Sequence, residues 1–125
     1  MELSGKTVLL GLTGGIACYK AAEFARAMIR EGATVHAVMT ESAQQFITPL
    51  TLQALTGNPV FTSSWDNRQR NNMRHIDLPR KVDVIAVAPC TANFIAKLAN
   101  GICDDLLSTL CQARPAAVLL LVAPA

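Results

Sequence analysis

The sequence predicts an α/β domain built on a parallel β-sheet, and three observations carry that reading. Short, continuous apolar runs recur at residues 6–12, 34–39, 82–88 and 117–122, as strands covered on both faces require. Segments with helical spacing lie between them, which makes the connections right-handed crossovers. Two of the strands also stop at small residues just where a helix begins. Thr13-Gly14-Gly15-Ile16 stands behind Val8-Leu9-Leu10, and Ala88-Pro89-Cys90-Thr91-Ala92-Asn93 behind Val84-Ile85-Ala86-Val87. Crevices outside the carboxyl ends of such strands are where ligands bind, so the two turns predict a pocket for an anionic cofactor.

Each element has a local reason. The first helix is expected over residues 16–31, with Ile16, Tyr19, Ala22, Phe24, Ala27 and Met28 on or near one side and Gly32 as its stop. Thr40 follows the second strand as an N-cap. Pro49 opens a helix through Leu52 and Leu55, which Gly57-Asn58-Pro59 ends. Residues 60–74 are polar and irregular, rich in Ser, Asn and Arg. They read as a long surface connection, with a short strand at Val60-Phe61. After the third strand come helices over 92–100, stopped by Gly101, and 105–112, followed by Pro115. The last strand covers 117–122. No internal repeat interrupts the pattern.

Composition bounds the function. The 125 residues fit one domain. With 51% hydrophobic and only 16% charged residues, the chain has the makings of a large core. A net charge of +2 is too small and dispersed for nucleic-acid binding. The nearest basic group, Arg68, Arg70, Arg74, Arg80 and Lys81, reads as a solvated connection. No apolar run approaches about 18 residues, so no membrane span is expected. The first residues enter a strand at once and lack the core of a secretory signal. Cys18, Cys90, Cys103 and Cys111 show no C-x-x-C pair and no metal-ligand spacing. Free thiols in a reducing cytoplasm, and no metal, are the expectation.

The turn Gly11-Leu12-Thr13-Gly14-Gly15-Ile16 departs from G-x-G-x-x-G, since Thr13 and Ile16 stand at its second and third glycine positions, and it lacks a P-loop lysine. Gly14 and Gly15 allow close backbone approach, and the helix behind them presents free N–H groups to a phosphate. The structural alternative is a turn that merely packs the helix on the sheet. Thr40 and Ser42 follow the second strand, where a dinucleotide fold reading ribose usually carries an acidic residue. Hydroxyls there suit a phosphate or ribityl chain and favour a mononucleotide; plain N-capping is the alternative. Pro89 ends its strand for want of an N–H, and Thr91, Ala92 and Asn93 place a hydroxyl, a small surface and an amide at the sheet's mouth. Asp104 and Asp105 precede a helix, and capping explains at least one of them.

Taken together, Gly14-Gly15-Ile16-Ala17-Cys18-Tyr19-Lys20, Met39-Thr40-Glu41-Ser42-Ala43, Phe46-Ile47-Thr48-Pro49-Leu50, His75-Ile76-Asp77-Leu78, Ala88-Pro89-Cys90-Thr91-Ala92-Asn93 and Gly101-Ile102-Cys103-Asp104-Asp105-Leu106-Leu107 resemble the flavin-containing cysteine decarboxylase family. Their order and spacing hold across essentially the whole chain. The resemblance implies a Rossmann-like, flavodoxin-type three-layer sandwich that binds FMN, as a homotrimer or a dodecamer of trimers with sites between subunits. The implied cofactor contacts are Gly14, Gly15, Ile16, Ala17, Thr40, Ser42, Pro89, Thr91, Ala92, Asn93 and, more weakly, Ser108. His75 matches the family's active-site histidine, and Arg80 and Ala125 are weaker candidates for substrate contact. His36, mid-strand, is structural.

The implied reaction is decarboxylation of 4'-phosphopantothenoylcysteine to 4'-phosphopantetheine in coenzyme A biosynthesis, by oxidation of the cysteine moiety and loss of CO₂. A trimer implies exposed apolar surface near Phe46-Ile47 and Leu50-Leu52. Family members continue past Pro124 and Ala125 with a Met-Asn pair, and later with a flap carrying a proton-donor cysteine. On that pattern residues 1–125 are a flavoprotein domain truncated at its C-terminal end. A cover for both faces of the last strand is expected. Cys90 and Cys103 are expected to serve small-residue packing. Two alternatives stay open: a non-catalytic FMN-binding or regulatory subunit of the same fold, and a flavin prenyltransferase, for which the His75 segment is not expected.

Overall fold

The computed structural model describes residues 2–62 and 81–124. His75, Arg80 and Ala125, with Arg68, Arg70 and Arg74, lie outside the described residues.

Four parallel strands form one sheet: β1 (Thr7–Leu12), β2 (Thr34–Met39), β3 (Val84–Cys90) and β4 (Leu119–Pro124), in the order β2-β1-β3-β4. The order reverses between β1 and β3, as in flavodoxin-like sheets, so the crevice above that pair is the topological switch point. Helices α1 (Cys18–Arg30) and α2 (Pro49–Thr56) cover one face, and α3 (Ala92–Asn100) and α4 (Leu106–Ala113) the other. This is the three-layer α/β sandwich expected from the sequence.

The period-two alternation of the strands divides the core. Val8, Leu10, Leu12, Val35, Ala37 and Ala86 pack toward α1 and α2, while Leu9, Val38, Ile85 and Val87 pack toward α3 and α4. β1 and β3 are locked at their starts by Asp83. Its carboxylate accepts from the Thr7 amide at 2.8 Å, and its own amide donates to the Thr7 carbonyl at 2.9 Å. Past α2, Asn58 donates to the Val35 carbonyl at 2.9 Å, and Phe61 forms an isolated parallel bridge with Val38. The short strand expected at Val60-Phe61 is thus a single bridge.

Three expectations are corrected. The first helix starts at Cys18 rather than Ile16, because Gly14 to Ala17 form the turn over the sheet. Its inward face is made of Cys18, Ala21, Ala25 and Met28, with Ile16 79% and Tyr19 59% exposed and Phe24 also exposed. Small side chains bring a helix close to a sheet, so bulk points outward. Among the described residues the last strand is covered on one face only: Val118 and Leu120 pack on the α3/α4 side, while Leu119, Leu121 and Val122 are exposed. Cys103 is exposed too rather than packed in the core, whereas Cys90 is fully buried as expected.

Candidate functional site

The carboxyl ends of β1, β2 and β3 and the starts of the segments behind them enclose a cavity of about 270 Å³. Its lining includes Thr13, Gly14, Thr40, Ser42, Thr91 and Asn93. Five residues predicted for cofactor contact therefore meet at one place, from three separate stretches of chain. A larger cavity, about 440 Å³, opens at the other end of the sheet between Leu9, Ile85, Leu110 and Val118. It is mostly apolar and lies away from the switch point. The smaller, more polar one is the candidate site.

Local chemistry fixes each wall. At the first turn, Gly14 comes so close to Ser42 that a Cβ there would meet the Ser42 Cβ at 2.5 Å. The amides of Gly14, Gly15, Ile16 and Ala17 find no acceptor among the described residues. Gly15, Ile16 and Ala17 follow the cavity's rim into α1 without lining it. Thr40 was expected as an N-cap, but the N-cap of the short 3₁₀ turn Ser42–Gln45 is Glu41. Thr40 stands one residue earlier, where its hydroxyl accepts from the Ala43 amide at 3.2 Å. Ser42 itself is exposed, and its hydroxyl has no partner among the described residues.

At the third strand, Thr91 caps α3 by accepting from the Phe94 amide at 3.2 Å. The Asn93 side-chain amide stands exposed at the cavity with no protein partner among the described residues. Ala92 is exposed at the helix start, outside the lining. Pro89 does not end its strand as expected: β3 runs on to Cys90, with the missing N–H accommodated where the β3–β4 register shifts between Val87 and Cys90. Pro89 is buried behind a cis Ala88-Pro89 bond, and its carbonyl is held by Thr13. Ser108 is fully buried, with both its amide and its hydroxyl spent on Asp105 in a capping box. The structure thus sets Pro89 and Ser108 behind the wall rather than on it.

Sequence reasoning passed over a charged group on the same wall. Lys97 of α3 reaches Asp104 at 2.9 Å and Asp105 at 3.0 Å, and all three line the cavity with Glu41. The hydrogen bond to Asp104 is the strongest influence on Lys97 and, with the Asp105 pairing, lifts its pKa above the usual lysine value against the opposing effect of burial. For Asp105 burial is the largest influence and works upward. The Ser108 amide, the Lys97 ammonium and the Ser108 hydroxyl together outweigh it, holding the carboxyl below its ordinary range. A separation of eight residues between Lys97 and Asp105 has no helical signature, which is why spacing alone gave no sign of it. Thr13 was also missed; its only sequence signal is that it replaces the second glycine of the fingerprint.

What this arrangement can do is bind a polar, partly anionic molecule. Among the described residues, four backbone amides ahead of α1, one hydroxyl and one carboxamide lack partners, and Gly14 leaves room for close approach. Such a donor set fits the phosphate and ribityl chain of a flavin mononucleotide.

The family model described as Flavoprotein matches residues 1–125. The chain belongs to the flavoprotein family. It is similar to the coenzyme A biosynthesis bifunctional protein CoaBC of Vibrio cholerae, at 49% identity over 124 residues, covering 99% of this chain and 31% of that relative. The chain therefore spans about a third of the length of the curated relatives it matches. Among solved structures, the FMN-dependent cysteine decarboxylase TvaF from thioviridamide biosynthesis superposes with a TM-score of 0.85 at 28% identity, covering 98% of this chain and 74% of that one. A PPC decarboxylase complexed with pantothenoylaminoethenethiol gives a TM-score of 0.73 at 34% identity, covering 96% and 66%. The Rossmann-like, flavodoxin-type architecture predicted from the resemblance is the one observed.

Proposed function

We propose that this chain binds FMN in the cavity above β1 and β3 and carries the decarboxylation of 4'-phosphopantothenoylcysteine to 4'-phosphopantetheine. The observation that carries the reading is the convergence of Gly14, Thr40, Ser42, Thr91 and Asn93 on one polar crevice at the switch point, in a chain 49% identical over nearly its whole length to a coenzyme A biosynthesis protein.

The amides of Gly15, Ile16 and Ala17 at the positive end of α1 receive the phosphate. Ser42 and Thr40 offer hydroxyls to the ribityl chain, and Thr91 and Asn93 offer donors to the polar edge of the ring. FMN, when bound, would supply a two-electron acceptor for oxidation of the cysteine moiety; loss of the carboxylate as CO₂ then leaves an enethiol, which becomes the thiol product only when the reduced flavin returns the two electrons and a proton is added. His75 acts as a proton acceptor or orients the carboxylate, since an imidazole titrates near neutrality. Arg80 and Ala125 are secondary candidates for contact with the substrate.

The same reading makes the protein a homotrimer, or a dodecamer of trimers, with flavin sites between subunits. Exposed apolar side chains at Ile16, Tyr19, Phe46 and Leu50 support it; Leu52, expected on that surface, is instead fully buried in the core. A cytoplasmic setting accords with four free thiols. Among the described residues no helix is long and apolar enough to cross a membrane.

The test mixes purified protein with FMN and 4'-phosphopantothenoylcysteine without oxygen and follows flavin absorbance and CO₂ release. Bleaching with CO₂ release is expected, and His75→Asn is expected to abolish both while FMN stays bound. Bound yellow flavin that never bleaches in the unaltered chain rejects the catalytic half of the reading and leaves a flavin-binding module. Failure to bind FMN at all rejects the whole.

A further inference from the structure

Thr13 directly follows β1 at the switch point and is buried, with a relative exposure of 2%. Its hydroxyl donates to the Pro89 carbonyl at 2.6 Å and accepts from the Thr91 amide at 3.0 Å. Its own amide donates to the same Pro89 carbonyl at 3.2 Å. The tips of β1 and β3 are therefore tied by three bonds that all run through one residue. The regular ladder between these strands ends at Gly11 and Val87, so beyond it Thr13 does what the sheet no longer does.

We propose that Thr13 is a positioning residue for the flavin site: its side chain sets where the Thr91–Asn93 wall stands relative to the Gly14 turn. The hydroxyl's one proton is spent on Pro89, so it has none to give a ligand, although Thr13 lines the cavity. The Thr91 amide is likewise spent on Thr13. What remains free on that wall is the Thr91 hydroxyl proton and the Asn93 carboxamide, and both are carried on a backbone whose position the clamp fixes. A glycine, which the dinucleotide fingerprint would place here, could not make two of the three bonds. The inference rests on FMN being the ligand of this crevice.

The experiment titrates FMN into the full chain and into Thr13→Val and Thr13→Ser, reading flavin fluorescence, visible circular dichroism at saturating FMN, and the melting temperature of the flavin-free protein. Valine keeps the shape and loses the hydroxyl; serine keeps the hydroxyl. Thr13→Val is expected to bind FMN roughly tenfold or more weakly, with an altered dichroic band, and Thr13→Ser to stay within about threefold of the original. If valine prevents folding, Thr13→Cys, whose thiol is a poor donor and acceptor, is expected to fall between the two.

Wild-type affinity and an unchanged band in the valine or cysteine variant overturn the proposal, whatever the melting temperatures do. A serine variant that loses FMN as badly as valine overturns it as well. Absence of FMN binding by the unaltered chain would instead reject the flavin reading on which the inference rests.

Discussion

A Cβ on Gly14 would lie 2.5 Å from the Ser42 Cβ and 3.1 Å from the Ser42 carbonyl carbon. The turn behind β1 and the segment behind β2 therefore touch with no room for a methyl group, and this contact closes one side of the cavity. The neighbouring atoms belong to a Cβ and to backbone, so they cannot swing aside as a flexible side-chain end would. Gly14→Ala is expected to push the two loops apart and weaken FMN binding by roughly tenfold or more, read by flavin fluorescence titration. Gly57 is the control. It takes φ +74 at the end of α2 with nothing near its Cβ position. Gly57→Ala is expected to cost about 1 kcal/mol of stability, through backbone strain alone, and to leave FMN affinity unchanged.

Much of this was legible in the sequence because the signals were local. The Pro49 helix start and the Gly57 and Gly101 stops depend on neighbours within four residues, and each stands where it was expected. Of the two acids before α4 it is Asp105 that caps, while β3 and β4 run to 90 and 124, two residues past their expected ends. The inward face of α1 was misread, since periodicity marks which residues share a side but not which side a sheet accepts. Cys18, Ala21 and Ala25 win because the helix must approach closely, and Ile16 and Tyr19 are left outside. Thr13–Pro89 and Lys97–Asp105 could not be read at all. The first joins residues 76 apart in the chain, and the second depends on how α3 and α4 turn about Gly101.

Asp105 holds three partners at once: the Ser108 amide at 2.7 Å, the Ser108 hydroxyl through its own amide at 3.2 Å, and the Lys97 ammonium at 3.0 Å. Asp105→Ala removes the cap of α4 and is expected to cost about 1–2 kcal/mol in denaturant unfolding. Asp105→Asn keeps an acceptor for the cap and loses only the charge, so its cost is expected to be smaller. The pH dependence separates the two roles. The folded carboxyl lies below its unfolded value, so its contribution is present above the ordinary carboxylate range and lost as pH falls through and below it. Lys97 is shifted upward, so its contribution is complete below the ordinary lysine value and lost only as pH rises past it. Asp105→Asn is expected to flatten both limbs of the stability profile. A profile identical to that of the original chain rejects the assignment.

The four thiols differ in environment. Cys18, Cys90 and Cys111 are fully buried, while Cys103 is exposed. Burial raises the pKa of Cys18 and of Cys90, and it pushes Cys111 up to about 12. The thiolate is the reactive form, so at neutral pH these three are both shielded and protonated. A thiol reagent is expected to modify one group rapidly in the native protein and all four in denaturant. Mass spectrometry should place the fast label on Cys103. Rapid labelling of Cys18, which sits under the cavity turn with its thiol donating to the Thr13 carbonyl at 3.3 Å, would mean that the turn opens in solution.

His36 stands opposite Leu9 in the β1–β2 register, on the face that packs toward α3 and α4. It is half-buried, and its Nδ1 has no hydrogen-bond partner among the described residues. Burial lowers its pKa below the ordinary histidine value, so the folded protein prefers the neutral ring. Once unfolded, the imidazole titrates at about 6.5. Below that pH the unfolded state binds a proton that the folded state resists, so stability falls as pH drops from neutrality until the folded ring itself titrates. His36→Leu, which places an apolar side chain across from Leu9, is expected to remove this part of the slope between about pH 7 and 5 in urea unfolding. The chain has only one other histidine, His75. A slope that survives in His36→Leu and vanishes in His75→Asn would transfer the titration to the active-site candidate and leave His36 a silent strand residue.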